Sequence, residues 1–465
     1  MTDSRPAEGL PARQRPWALF AVLLPVIMSV LDMQIANVAL PTLSRQLDIS
    51  PATSIWIVNS YQLALVAGLL PLSSLGDVVG HRKVFCVGIV VFTLASLACA
   101  MSTTLPMLAA GRVVQGLGAG AVVSVDLVLI RYIFPQERLG RGVAFLGLSI
   151  ACAASAGPTV ASAILALAPW PWLFAVNVPV GVVAIVLAFR FIPAIPGSWR
   201  KFDLPSAILS ALAFGLLITG LDGIAHHEDL LIVAVELGVA LVSGILMVRR
   251  QKSLETPVFA VDLFRRPVFA LSICTSVCAY MTQGLAYISL PFYFQNLLGR
   301  SQAETGFLIT PWPLAIVVVA QIAGKLSDRL PAGLLGGFGL ASVATGLLLL
   351  GFLPDDPSTA NILWRVAICG AGFSLFQTPN VRSILASVPK ARSGNATGIN
   401  ATFRTLGQAT GAALCALIFG FFTQADGSLG AAPVTAVLLG VCVAASGSLL
   451  SFLRLVPAKP ATDTK

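Results

Sequence analysis

Charge is what this sequence has least of. Only 11% of its 465 residues are Asp, Glu, Lys or Arg, against an average of about 25% in soluble chains. With 57% hydrophobic residues, that shortage excludes an ordinary soluble globular protein. Histidine is scarcer still, with three residues, and the adjacent pair His226–His227 has no third ligand near it in sequence, so no metal site is expected. No GxxxxGK[ST] loop is present, which removes ATP as a direct energy source. The longest polar connection, roughly residues 250–267, is too short for a folded domain, so no soluble catalytic module or sensor output is expected. No cofactor is implied, and the chain is not expected to be an enzyme.

Long apolar runs are what the sequence has instead. Fourteen occur, near residues 17–40, 54–75, 84–102, 107–130, 141–166, 172–192, 204–224, 229–249, 268–297, 305–324, 333–353, 361–385, 396–422 and 431–454. Each approaches the roughly 20 residues that an α-helix needs to cross a bilayer. The first run is too long, and too interrupted by Asp32, for a cleavable signal peptide. The eight cysteines all fall in or beside these runs, and Cys274 and Cys278 share a helix face; they read as small core hydrophobes rather than ligands or disulfides.

The formal charge of +9 has a topological cause. With a cytoplasmic N-terminus, all Lys and Arg except Arg45, Arg112, Arg300, Arg365 and Arg404 fall in tails and loops on the inner side. This is the positive-inside distribution. The net charge therefore reports contact with membrane lipid of the inner leaflet, not nucleic acid, and an even number of spans puts both termini in the cytoplasm. Without ATP, uphill movement of a solute must draw on an ion or substrate gradient.

The sequence repeats itself. SSLGDVVGHRK (73–83) joins spans 2 and 3, and GKLSDRLPAG (324–333) joins spans 10 and 11. About thirty-six residues after each acid an arginine opens a Gly-rich stretch, RVVQGLGAG from Arg112 and RVAICGAG from Arg365. Matched pairs imply two related halves, an arrangement common in secondary transporters. The expected organisation is a tail (1–16), an N-terminal six-helix bundle (17–192), two extra spans with linkers (193–267), a C-terminal six-helix bundle (268–455) and a second tail (456–465).

Polar residues inside the spans are the candidate functional groups, because each is costly in hydrocarbon. Asp32 lies about 22 Å along its helix at 1.5 Å per residue. It reads as a proton carrier or a counter-ion for cationic cargo, with a permanent arginine ion pair as the structural alternative. Arg112 is its natural electrostatic partner. Asp77 and Asp328, at helix ends beside Arg82 and Arg329, read as conformational latches. Asp126 is expected to relay charge to Arg82 or Arg131, or to serve as a second proton site, and Glu236 to face a neighbouring helix or the outer surface. Tyr280, Gln283 and Tyr287 share one face of span 9, and Asn59 and Gln62 one face of span 2. With Gln34, Gln115, Gln321, Phe376, Gln377, Asn380 and Arg404, paired at i,i+4 with Gln408, they are the candidates for a substrate cavity.

At these residues the chain resembles the major facilitator superfamily, in its fourteen-span drug/proton antiporter branch. Six stretches stand in the family's order: LDMQIANVALP, SSLGDVVGHRK, LAAGRVVQGLGAG, GPTVAS, WPWLFAVNVPVG and FRTLGQATGAAL. The resemblance implies an all-α polytopic fold of two six-helix bundles around a central cavity, with two extra central helices. It implies proton-coupled efflux of amphipathic or cationic small molecules from a bacterial inner membrane by alternating access. It also implies a role for Arg112 in proton transfer, and for Gly157 and Pro158 in shaping span 5. Departures are Ser73, Val78 and His81 in the first loop, Gln34 where Thr is common, Pro171 for a usual arginine, and Ala153, Ala161 and Ser162 for three glycines of the span-5 motif. Those lost glycines, with the amide- and aromatic-rich cavity, motivate an alternative: uptake of a heteroaromatic metabolite such as a flavin-type vitamin.

Overall fold

The computed structural model describes residues 9–135, 138–193, 203–225, 229–253, 261–354, 356–389, 392–422 and 429–455. Among these residues there is no strand, and fourteen helical segments are long and apolar enough to cross a membrane. They are Arg15–Gln46, Pro51–Leu69, His81–Ala100, Leu105–Ile133, Arg141–Leu167, Trp172–Phe191, Leu204–Leu221, Leu230–Gln251, Pro267–Leu297, Gln302–Leu326, Ala332–Gly351, Thr359–Ala386, Asn395–Phe422 and Ala432–Leu453, here spans 1 to 14. His226, His227 and Asp355 lie outside the described residues.

Local chemistry sets the helix ends. Ser50, Ser301 and Ser358 each accept a backbone N–H at a helix start, and Ser301 forms a reciprocal capping box with Glu304. Gly80, at φ 104°, makes the sharp turn between spans 2 and 3 that an L side chain would resist. Prolines punctuate as well. Span 10 breaks at Thr310, before Pro311, and span 9 closes in a π-turn, Tyr293–Leu297, just after Pro291.

The two halves repeat one packing plan. In the first, spans 2 and 3 pack on span 4, span 5 on span 1, and span 6 on spans 1 and 3. In the second, spans 10 and 11 pack on span 12, span 13 on span 9, and span 14 on spans 9 and 11. Glycines let backbones touch at these crossings. A Cβ on Gly116 would stand 2.3 Å from the Tyr61 carbonyl oxygen, and one on Gly370 would stand 2.0 Å from that of Trp312. Span 7 rests on spans 2 and 13, and span 8 packs chiefly on span 7. Asp203 caps span 7 and pairs with Arg250 at the end of span 8.

The apolar core is shared on one side and divided on the other. On the face opposite the termini, one cluster joins Ile35, Leu43 and Val58 of the first half to Leu290, Ile309 and Trp312 of the second. Near the termini the clusters are separate: Val22, Phe85 and Leu129 in the first half, and Phe269, Ile384 and Ile399 in the second. Among the described residues, hydrogen bonds that cross between halves on the joined face include Arg45 to Gln295 Oε1 (2.9 Å), Thr159 to Thr310 (2.9 Å), and Ser162 to the Gln302 carbonyl (3.2 Å).

Candidate functional site

Asp32 sits in the C-terminal half of span 1 and is 1% exposed. Three side chains from two other spans surround its carboxylate. Arg112 of span 4 pairs with Oδ2 through Nη1. Gln115, one turn later, donates to Oδ1 at 2.9 Å, and Asn177 of span 6 donates to the same oxygen at 2.7 Å. Arg112 also donates to Gln115 Oε1 at 2.7 Å and to the Ile57 carbonyl at 2.9 Å, and Gln115 donates to Ser96 of span 3 at 2.8 Å. The guanidinium carbon lies 4.2 Å from the Tyr61 ring centroid and 5.6 Å from that of Phe174, both within cation–π range. Arg112 is 0% exposed and its Nη2 has no hydrogen-bond partner. Spans 1, 2, 3, 4 and 6 thus close on a single ion pair, wholly within the first half.

Asn177, Ser96 and Tyr61 are members that the sequence reading missed. Asn177 carried a signal, as an amide inside an otherwise apolar span. Gln115, expected in the cavity, belongs instead to this cluster.

Other candidates take different places. Gln377 donates to the Tyr280 hydroxyl at 2.9 Å, and Arg404 lies 5.9 Å from the same ring. Gln408 donates to Gln283 Oε1 at 2.9 Å, and Tyr287 stacks edge-on against Trp312 beside Gln283 and Gln34. Asn59 is fully buried with neither amide atom hydrogen-bonded, and Gln62 Oε1 is likewise without a partner.

Two cavity expectations, those for Asn380 and Phe376, are corrected. Asn380 is a joint rather than a lining residue: it donates to Ser276 and to the Ser272 carbonyl and accepts from Arg454 at 2.7 Å, tying spans 9, 12 and 14 together. Phe376 is buried against Phe373, and Gln321 lies on an exposed face of span 10. Gly157 is a contact point, since a Cβ there would stand 2.4 Å from Gln34 Cβ; span 5 runs on as helix through Pro158.

The charged helix ends also differ from expectation. Asp77 meets His81 Nε2 at 3.2 Å, and Arg82 donates to the Phe189 carbonyl of span 6. Asp328 pairs with Arg382 of span 12 at 2.7 Å, while Arg329 is exposed. Asp126 accepts the Leu127 N–H and, among the described residues, makes no hydrogen bond or ion pair with Arg82 or Arg131; Arg131 is exposed. Arg365 donates to the Leu349 carbonyl at 3.0 Å and so serves span 11. Glu236 lies against Gly220 of span 7, with Oε2 buried and unpartnered. All eight thiols are free; Cys152, Cys274 and Cys442 are exposed rather than buried in the core.

The arrangement is that of a polyhelical solute carrier, and a family comparison decides which one: residues 22–412 match the model of the Major Facilitator Superfamily. The chain belongs to that family. It is 51% identical over 443 residues to the uncharacterized transporter YebQ of Escherichia coli, covering 94% of this chain and 96% of that one. It is 29% identical to the riboflavin transporter RibZ of Clostridioides difficile, over 88% of this chain and 89% of the other. It is 30% identical to the multidrug resistance protein Stp of Mycobacterium tuberculosis (strain H37Rv), over 85% of this chain and 74% of the other. The chain is accordingly a multi-pass membrane transporter, and its family membership argues against an enzyme.

Proposed function

We propose that this major facilitator protein is a proton-coupled exporter of amphipathic or cationic small molecules, working by alternating access in a bacterial inner membrane with both termini cytoplasmic. The observation that carries the reading is the Asp32 cluster. A carboxylate buried among membrane spans is costly unless its charge is answered, and here the answer comes from a single arginine and two amides on other helices. Protonating Asp32 removes the charge that Arg112 answers, so proton uptake and the packing of span 1 against spans 4 and 6 are linked. The shared core on one face and divided core on the other support rocking of two halves, with the divided face open to the cytoplasm. The likeness to the multidrug resistance protein Stp favours export.

Uptake of a flavin-like heteroaromatic is the second reading, favoured by the likeness to RibZ and by the amide cluster Gln34, Gln283 and Gln408 beside Tyr287. Direction is tested in proteoliposomes with an imposed pH gradient, following ethidium and riboflavin separately. Export predicts that ethidium moves against the proton flux and riboflavin does not move. If wild-type protein moves neither, or if Asp32→Asn leaves gradient-driven movement intact, the coupling assignment is wrong.

A further inference from the structure

On the terminus side of the second half lies a cavity that shares no residue with the Asp32 cluster. Its volume is about 450 Å³, within the roughly 300–1,000 Å³ of small-ligand sites. Arg266, Pro267 and Val268 at the start of span 9 line one side, and Ser383, Ala386 and Ser387 at the end of span 12 line the other. Where one span begins and another ends, hydrocarbon gives way to lipid headgroups. The lining is mixed in the same sense. Arg266, Ser383 and Ser387 are polar, whereas Pro267, Val268 and Ala386 are apolar, with Val268 and the neighbouring Leu385 exposed.

The charge around this cavity has one sign. Arg266 is exposed, and its Nη1 donates to the Ser387 carbonyl at 2.6 Å, which ties the guanidinium across the gap between the two spans. Behind the opposite wall, Ser383 Oγ lies 3.4 Å from Ser272 Oγ, which accepts from Arg454 Nη1 at 3.0 Å. Arg454 is half-buried, and its acceptors are neutral groups of Ser272, Asn380 and Ser451. Among the described residues, neither Arg266 nor Arg454 forms an ion pair with a carboxylate. Asp262, in the segment leading to span 9, is taken by Arg392, while Arg265 adds a further exposed cation. Span 9 also opens without a side-chain cap, which leaves the positive end of its dipole unanswered there.

A positive cavity with an apolar flank at headgroup level suits a molecule that joins a phosphate to an apolar body. Inorganic phosphate would answer Arg266 but leave Val268 and Ala386 uncovered. A zwitterionic phospholipid would bring its own ammonium to a site already in positive excess. An anionic phospholipid meets both demands, and the inner leaflet is where such lipids face basic protein surfaces.

We infer that the cavity between spans 9 and 12 binds an anionic phospholipid, with its phosphodiester at Arg266 and its glycerol and chains along Val268 and Ala386. Only the choice of leaflet rests on the cytoplasmic termini proposed above. Binding is measured in micelles, where no leaflet exists, so it stands or fails separately from orientation and from proton coupling.

The test follows thermal unfolding of the purified, delipidated full-length protein in dodecyl maltoside micelles while lipid is titrated, because a ligand of the folded state raises the midpoint. The probes are dioleoylphosphatidylglycerol, dioleoylphosphatidylcholine with the same chains, and inorganic phosphate at fixed ionic strength. Phosphatidylglycerol should half-saturate its shift at a concentration at least about tenfold lower than phosphatidylcholine, and Arg266→Gln should raise that concentration about fivefold, the scale of one basic residue against an anionic headgroup. Arg266→Lys, which keeps the charge, should retain the preference. Ala386→Trp, which fills the cavity without altering charge, should remove it. Arg249→Gln, which deletes an exposed arginine at the end of span 8, should leave it intact. Each variant is first checked for a monodisperse folded peak, and the readout is the lipid-dependent shift rather than the starting midpoint. Equal affinity for the two lipids overturns the proposal. So does an equal effect of Arg249→Gln and Arg266→Gln, which marks a general attraction to basic surface, or an unchanged preference in Ala386→Trp, which puts the lipid elsewhere. A shift with inorganic phosphate as large as that with phosphatidylglycerol overturns the lipid assignment in favour of a free phosphate site.

Discussion

Replacing Asp32 by asparagine removes one negative charge and almost no volume, so its effect isolates electrostatics. In the wild-type protein the carboxylate answers Arg112 and accepts from Gln115 and Asn177. An asparagine in its place offers a single oxygen, so one of the three donors loses its acceptor, and its own N–H₂ would point at cations or donors. The larger penalty falls on Arg112, which is 0% exposed and would keep only the Ile57 carbonyl, Gln115 Oε1 and two ring faces. Removing one partner of a buried ion pair costs about 3–5 kcal/mol, because the remaining charge stays buried. Asp32→Asn should therefore be destabilised by about that amount, and Asp32→Asn/Arg112→Gln should recover most of it, since two neutral amides leave no orphan charge. The measurement is unfolding of purified protein in micelles by graded denaturant at neutral pH. A single-variant loss under about 1 kcal/mol, the size of an exposed pair, would show that Arg112 does not depend on Asp32. A double variant no better than the single would show that the network is not organised around the charge pair.

Gly306 offers a contact test: a Cβ there would stand 1.7 Å from Ser162 Oγ and 2.6 Å from the Pro158 carbonyl. Gly306→Val should part spans 5 and 10, and a cysteine placed at Thr159 should react faster with a membrane-impermeant maleimide added from the face opposite the termini. Gly116→Val would drive side-chain atoms into the Tyr61 carbonyl of span 2; we expect a loss of several kcal/mol or failure to fold, read as loss of the monodisperse peak in gel filtration. On the polar surface, hydrogen bonds from Arg392 hold the Asp262 carboxyl below its ordinary value. A depressed value means that the stabilisation is complete above the ordinary pKa of 3.8 and drains away as pH falls through the folded value. Because the pair is partly exposed, Asp262→Asn should cost about 1 kcal/mol or less at neutral pH, with the difference from wild type vanishing in strong acid.

The sequence made the membrane architecture legible because span length and charge asymmetry are one-dimensional properties. Fourteen apolar runs were countable, and the paired loops at Asp77 and Asp328 announced two related halves. Asp32 and Arg112 stood out for the same reason: each is a charge within a lipid-length run. What a linear pattern does not carry is which span meets which. Asn177 and Asn380 look alike in sequence, both amides inside apolar helices, yet one completes the Asp32 cluster and the other ties spans 9, 12 and 14 at Arg454. Arg382 is another case: as one of many basic residues near the inner ends, it gave no hint that it, and not Arg329, meets Asp328. Asp126 was expected to pair within its own half, where Arg82 and Arg131 are close in sequence. In the structure its carboxylate accepts the Leu127 N–H beside it and meets neither of them, an outcome that sequence proximity does not carry.

The confinement of the Asp32 ion pair to one half has a mechanical consequence. In the proposed rocking of one bundle against the other both its charges would travel together, so the motion would neither stretch nor shorten that pair. On the proposed coupling, a proton arriving at Asp32 would act on the opposite bundle through the shape of the helices that meet it rather than through this ion pair. The route runs along span 1 itself: two residues on, Gln34 is wedged against Gly157 of span 5 and lies beside Tyr287 of span 9. Span 5 in turn presses Pro158 and Ser162 onto Gly306 of span 10. Under the proposed coupling the first helix would act as a lever, with charge applied at one residue and displacement delivered about a half-turn away.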